Sequence, residues 1–213
     1  DKADEAQMPV FEFFDNPAWA YGGGLYHVQA DYRLMIDNLM DLTHETYVHA
    51  TSIGQPEIDE TPCETKVDGD KVITQRFMDG IQAPPFWQMA MSANGLDPQA
   101  KVDRWQICRF SPPSHIMIDV GVALAGHGGF DAPADKTAYS VVLDFITPET
   151  ETSHWYHWGK IFGEDMEMLQ LQQDNILRHP ERKLLMLNID AGGVQSRRVI
   201  DRLLAQEQSG ENA

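Results

Sequence analysis

The chain has 213 residues, an ordinary globular composition and a formal net charge of −17. That acidity argues against a nucleic acid or an anionic membrane surface as partner, because both recruit clustered Lys and Arg. No apolar run reaches the roughly 18 residues a membrane-spanning helix needs. The two cysteines, Cys63 and Cys108, sit in no C-x-x-C or C-x-H pair, which argues against a disulfide framework and against a cysteine-ligated zinc or iron–sulfur site in these residues. The cytoplasm is the expected compartment.

In chain order, residues 1–20 open with DKADEAQMPVFEFF, which lacks the basic flank and apolar core of a signal peptide. They read as a linker, and the chain is expected to start inside a longer protein. Residues 24–32 read as a strand, and residues 33–48 as a helix with Ile36, Leu39, Met40, Thr43 and Tyr47 along one face. Residues 63–78 read as a hairpin around Asp68-Gly69-Asp70, and residues 102–124 as a second around Ser111-Pro112-Pro113-Ser114. Residues 127–135 are a loop. YSVVLDFITPET and TSHWYHWG read as two further strands, and residues 161–178 as a helix. A last amphipathic helix follows Gly192-Gly193 and carries Val194, Val199, Ile200, Leu203 and Leu204. The expected fold class is α+β, one antiparallel sheet with helices on a face. The intervals between strands are too short for repeated parallel crossovers.

The segment Asp37-Asn38-Leu39-Met40-Asp41-Leu42-Thr43-His44-Glu45-Thr46-Tyr47-Val48-His49 carries the most chemistry. His44 and His49 are five apart, so on an ideal helix they diverge by about 140°. Both rings reach one metal only if the helix ends or distorts, and Ala50-Thr51-Ser52-Ile53-Gly54 supports an end near His49. Asp37, Asp41 and His44 share a helix face, which places Asp41 to orient a metal-bound imidazole. The spacing alone also fits a polar helix face with two incidental histidines. Asp165 lies on the side of its helix marked by Phe162, Met166, Leu169 and Ile176, with Glu164 and Glu167 off that stripe. An inward carboxylate needs a buried Arg, a capping role or a metal. Two His and one carboxylate form the facial triad of non-haem Fe(II) oxygenases.

The run D-N-L-M-D-L-T-H-E-T-Y-V-H resembles the iron-site motif of Rieske non-haem iron oxygenase α-subunits, in the O-demethylase branch. The segments 20–24, 83–87, 104–110, 144–150 and 188–198 resemble the vanillate O-demethylase oxygenase family as well. The resemblance covers nearly the whole chain. It implies a helix-grip (START-like) domain, with a curved antiparallel sheet wrapped on a long C-terminal helix. It implies His44, His49 and Asp165 as ligands of a mononuclear Fe(II), Asp41 as the link to the electron donor, and Asn38 lining the site. Residues 21–213 would be the mononuclear iron catalytic domain, following a Rieske domain that this chain lacks. The implied reaction is oxidative O-demethylation of an aryl methyl ether with O2, vanillate giving protocatechuate and formaldehyde. The implied partners are a flavin/iron–sulfur reductase, a [2Fe-2S] Rieske cluster not ligated by this chain, and two further copies in a homotrimer. Two departures stand out: the paired C-x-H and C-x-x-H cluster ligands are absent, and the join between Trp158-Gly159 and the helix bearing Asp165 is shorter than in the family.

Other readings stay open beside it. The iron could serve another methoxy- or methyl-arene or a ring hydroxylation, or the fold could be a metal-free helix-grip binder of a hydrophobic ligand. Asp119 and Asp144 sit mid-strand among apolar residues, where each either contacts substrate or pairs within the core. Phe86 and Trp87 are pocket walls or core. His154 and His157 are three apart on a strand and point to opposite faces. His27 and His115 are read as packing residues, His127 is assigned no role, and Arg197-Arg198 is read as a solvated helix face.

Overall fold

The protein is described here by a computed structural model covering residues 11, 13, 16, 17, 19, 20, 22–157, 163–183 and 186–209. Most of the stretch read as a linker, Trp158 and Gly159 at the short join, and Phe162 of the expected helix stripe lie outside the described residues. Among the described residues seven strands, β1 (Leu25–Val28), β2 (Glu64–Asp68), β3 (Lys71–Gln82), β4 (Lys101–Ser111), β5 (His115–Leu124), β6 (Thr137–Thr150) and β7 (Ser153–His157), make one curved sheet in the order β1-β7-β6-β5-β4-β3-β2. Every neighbouring pair is antiparallel. Consecutive strands from β2 to β7 pair in chain order, so short connections suffice. Only β1, which pairs with β7, comes from far away in the chain.

Alternation along the strands assigns each side chain to a face. On β4, Arg104, Gln106, Cys108 and Phe110 face the helices, while Trp105 and Ile107 face the other way, and all six are buried. Phe130 of the residue 129–131 turn meets Trp105 edge-on at 5.7 Å, and Trp105 and Ile107 share a cluster with Ala123, Ile73 and Ala132. The inner face packs on α1 (Tyr32–Met40), α5 (Gly163–Arg178) and α6 (Ala191–Ser209). The core there joins Leu34, Met35 and Ile36 with Phe110, Ile116, Tyr156, Leu169 and Ile200.

The structure departs from the sequence expectations in definite places. The helix expected over 33–48 breaks into α1 and a single turn, α2 (Glu45–Val48), and Tyr47 is 78% exposed rather than inward. The second turn of the polypeptide around 57–60, α3 (Glu57–Glu60), and the helix α4 (Pro85–Ala93) carried no expectation. In α4 the proline sits at the first helical positions, where its missing N–H is not needed. The last helix starts at Ala191, so Gly192 and Gly193 lie inside its first turn. Arg197 is not solvated: its guanidinium grips the Asp37 carboxylate of α1 with contacts of 2.8, 2.8 and 2.5 Å.

That grip needs α6 to approach α1 closely, and glycine permits it. A Cβ on Gly192 would lie 2.3 Å from Thr74 Oγ1 and 2.6 Å from the Met40 carbonyl oxygen. The second contact is backbone and cannot swing away. Gly192→Ala is therefore expected to lower unfolding stability by about 1–3 kcal/mol, the usual range for overpacking. Urea denaturation reads it, and an unchanged midpoint and slope would show that the two helices are not locked at this point.

Candidate metal centre

His44 and His49 are brought together by the break after α1. Asp41 leaves the helix in an extended conformation, and its Oδ1 accepts hydrogen bonds from the Thr43 amide at 2.7 Å and the Thr43 hydroxyl at 2.6 Å. This local side-chain pairing competes with helical hydrogen bonding and ends the helix. His44 then starts the single turn of α2 and His49 ends it. Their ring centroids are 5.2 Å apart at 69°.

Asp165, in the first turn of α5, completes the group. One ligand-capable atom from each of His44, His49 and Asp165 lies within 4.8 Å of the others. His49 Nε2 is 3.2 Å and His44 Nε2 is 3.7 Å from the Asp165 carboxylate. Asp165 and His49 are buried, and the His44 side chain is 18% exposed. His44 Nε2 and Asp165 Oδ2 are shut off from solvent with no hydrogen-bond partner among the described residues. Such orphaned buried atoms are rare in folded proteins and ask for an explanation. Two imidazole nitrogens and a carboxylate oxygen around one point suit a divalent transition metal.

The neighbours orient this group. His44 Nδ1 lies 2.7 Å from the Asp41 backbone carbonyl. Only an N–H can meet a carbonyl, so that nitrogen carries the proton and Nε2 presents its lone pair to the centre. The sequence expectation gave this hold to the Asp41 carboxylate. The carboxylate lies farther off, with Oδ2 at 3.9 Å from the ring nitrogen, because Thr43 occupies its other oxygen. Asn38 Nδ2 donates to Asp165 Oδ1 at 3.3 Å.

A cavity of about 500 Å³ adjoins the two histidines. Its apolar walls include Leu39, Ile53, Phe86, Trp87, Ile118 and Val142, and its polar wall is Glu45, Arg104 and Gln106. Phe86 and Trp87 meet edge-on at 5.1 Å and serve as both wall and core. On its other side His44 faces a groove lined by Asp37, Asn38 and Asp41. Asp119 points to the opposite face of the sheet from Ile118 and Val120, where it accepts a hydrogen bond from Trp105 Nε1 at 3.0 Å. A molecule in the cavity does not reach it. Asp144 is on the cavity side of β6, two residues beyond Val142, but fully buried beneath the lining, and it accepts a hydrogen bond from the Tyr156 hydroxyl at 2.8 Å. Burial pushes its pKa up to about 8, against the downward pull of the Tyr156 bond. Three of the other histidines lie away from this group: His154 is buried with Nδ1 2.7 Å from the Ala30 carbonyl oxygen, His27 pairs with Glu149 at 2.6 Å, and His115 packs edge-on to Phe145. Sequence reasoning missed the buried Arg76, Arg104, Glu45 and Gln106. The signal was present, since Arg104 and Gln106 alternate in register with the inward Cys108 and Phe110.

Comparison with known proteins gives a consistent set of relatives. The family described as vanillate O-demethylase oxygenase C-terminal domain matches residues 28–160 and 159–206. The match breaks where the short join was expected. A vanillate O-demethylase oxygenase subunit from Pseudomonas sp. (strain ATCC 19151) is 62% identical over 230 aligned positions, covering 98% of this chain and 70% of that protein. Another, from Pseudomonas sp. (strain HR199 / DSM 7063), is 61% identical, covering 99% and 66%. The crystal structure of dicamba monooxygenase bound to 3,6-dichlorosalicylic acid superposes with a TM-score of 0.82 at 25% identity, covering 97% of this chain and 65% of that one. The chain thus spans about two thirds of the length of these proteins. Among the described residues no helix is long and apolar enough to cross a membrane.

The raised pKa of Asp144 has a measurable consequence. A carboxyl whose folded pKa exceeds its unfolded value binds its proton more tightly when folded. Its stabilisation is complete below the unfolded value near 3.8 and is lost as pH rises through about 8. Within that window it lowers stability by about 1.4 kcal/mol per pH unit. Asp144→Asn keeps an acceptor for Tyr156 and removes the titration. Urea unfolding at pH 5, 6, 7 and 8 is expected to show a shallower pH dependence in the variant. Parallel curves for the two proteins would refute the assignment.

Proposed function

The chain belongs to the vanillate O-demethylase oxygenase C-terminal domain family, and from that premise we propose that it is the iron-bearing catalytic part of an oxygenase that demethylates an aryl methyl ether. The substrate of first choice is vanillate, converted with O2 to protocatechuate and formaldehyde. The observation that carries this reading is the convergence of His44, His49 and Asp165 within 4.8 Å, with His44 Nε2 and Asp165 Oδ2 buried and finding no hydrogen-bond partner among the described residues. His44 Nε2, His49 Nε2 and the Asp165 carboxylate would hold one non-haem Fe(II). Bound there, the metal supplies the O2 chemistry that oxidises a methyl C–H bond.

The residues around it do the rest. The Asp41 carbonyl keeps His44 in the tautomer that a metal needs, and Asn38 holds one Asp165 oxygen so that the other is free. Phe86, Trp87, Ile118 and Val142 enclose an aromatic ring and exclude water from it. Of the two mid-strand carboxylates, Asp144 lies on the cavity side but is buried beneath the lining, where the Tyr156 hydroxyl holds it, so it backs the wall without touching the substrate. Asp119 is set aside, because it faces the other way. Residues 21–213 form the iron domain and residues 1–20 lead into it. Electrons come from a flavin/iron–sulfur reductase by way of a [2Fe-2S] cluster domain, which in a homotrimer is a neighbour's. The Asp41 carboxylate, 26% exposed in the groove beside His44, is where that domain is received.

Two experiments test this. Anaerobic titration with Fe(II) is expected to give one iron per chain, abolished in His44→Ala, His49→Ala and Asp165→Ala. A folded parent that binds no metal would overturn the reading, and turnover of a panel of methoxybenzoates by the full-length protein with its reductase would rank the substrates. The second separates the two roles of Asp41. Because His44 is held by the backbone, Asp41→Asn should keep its iron, yet slow reoxidation of a pre-reduced cluster by orders of magnitude in single-turnover mixing with O2 and substrate. Unchanged reoxidation would leave Asp41 with only its structural part.

A further inference from the structure

Between the sheet and the two histidines lies a group of charges that neither the fold nor the proposed reaction accounts for. Arg76 of β3 and Arg104 of β4 are both buried, each 2% exposed, and both reach into the irregular segment that carries His44 and His49. Arg76 Nη1 donates to the Leu42 carbonyl at 2.5 Å, two residues before His44. Arg104 Nη1 donates to the Ile53 carbonyl at 3.0 Å, four residues after His49, and to Gln55 Oε1 at 2.7 Å. Glu45, the residue after His44, is also buried. It accepts from Arg104 Nη2 at 3.2 Å and from Gln106 Nε2 at 2.6 Å. Gln106 Oε1 in turn lies 3.4 Å from Arg76 Nη1, which closes the set.

Stability alone gives little reason for this arrangement. Taking ions out of water is expensive, and well-packed apolar residues of similar volume often do as well or better in a core. Here two guanidinium groups and one carboxylate are buried together. Burial pulls the pKa of Arg104 down, Glu45 acts against that, and Arg76 adds to it. What the set does achieve is geometric. The segment from Leu42 to Gln55 has only the one helical turn of α2, so helical bonds cannot fix it along its whole length. The charged set grips it before His44, between the histidines and beyond His49, from two rigid neighbouring strands.

We propose that Arg76, Arg104, Glu45 and Gln106 act as one frame of positioning residues that sets the separation of His44 and His49 for the metal. None of the four is a metal ligand. Glu45, Arg104 and Gln106 also line the cavity, so the frame that spaces the ligands is the cavity's polar wall as well. The proposal rests on the metal reading given above.

Its test compares metal binding with stability in the chain as it stands. Co(II), whose visible spectrum reports coordination geometry, is the probe, with Fe(II) titrated anaerobically in parallel. Glu45→Ala and Arg104→Met are expected to bind either metal about 10–100-fold more weakly, the range typical when groups that orient metal ligands are lost. The Co(II) bands should shift or broaden. Glu45→Gln, which keeps the size and an acceptor oxygen but not the charge, is expected to lose less affinity than Glu45→Ala, and it decides the matter if the more severe variants do not fold. The comparator is Asp103→Ala, which removes a carboxylate that accepts hydrogen bonds from the Gly80 and Gly126 amides at 2.9 Å each. It should lower the melting temperature yet bind metal with the parent's affinity and spectrum. Frame variants that bind metal as the parent does, or an Asp103→Ala that weakens binding equally, would overturn the proposal. A folded parent that binds no metal would instead overturn the reading beneath it.

Discussion

The Asp41 carboxylate accepts two hydrogen bonds from Thr43, at 2.7 and 2.6 Å, and this pairing ends the first helix just before the histidines. A continued helix would point His44 and His49 about 140° apart. On the broken path their ring centroids lie 5.2 Å apart and both rings face the first turn of α5. The same break frees the Asp41 carbonyl to hold the proton-bearing nitrogen of His44. One aspartate thus makes the turn with its side chain and fixes the imidazole with its backbone. The cavity, the groove and the arginines all meet the segment that this break creates.

Much of the fold was legible because its signals are local. The charged turn Asp68-Gly69-Asp70 and the Ser111–Ser114 turn sit between alternating segments, and both hairpins form there. The order of strands and helices was enough to give an antiparallel sheet with helices on one face. What was not legible depended on competition between alternatives. An apolar periodicity through residues 33–48 reads as one helix. A Thr–Asp side-chain pairing outweighs it, and periodicity says nothing of such pairings. The α4 helix opens at the second of two prolines, Pro84 and Pro85, which mark a boundary without saying which element begins there.

The centre was legible to a different degree. His44, His49 and Asp165 stood out by residue type and by the inward placement of Asp165, and the structure brings their side chains together. The two mid-strand aspartates show the limit of that kind of reasoning. A carboxylate among apolar strand residues is conspicuous, but the strand has two covered faces. Asp119 and Asp144 lie on opposite ones, each with a hydrogen-bonding aromatic partner, Trp105 for one and Tyr156 for the other. Which face is which follows from pairing register, and register is a property of the assembled sheet. Arg197 was misjudged for a related reason: its partner Asp37 is 160 residues away in sequence.

Among these buried groups, a division of labour follows from charge. Asp144 is fully enclosed with no cationic partner among the described residues, and its pKa rises to about 8, so near neutral pH it is largely uncharged. Asp165, equally enclosed, has two imidazoles at 3.2 and 3.7 Å in place of a hydroxyl. Glu45 has a guanidinium. Three carboxylates buried within one domain thus meet three different environments, and only that of Asp165 gathers lone pairs toward a point. Each unsatisfied polar atom left there costs about 1–3 kcal/mol while it stays unpartnered. On the proposed reading a bound cation removes that cost and returns it as binding free energy, so metal occupancy and the stability of this corner of the fold are linked quantities.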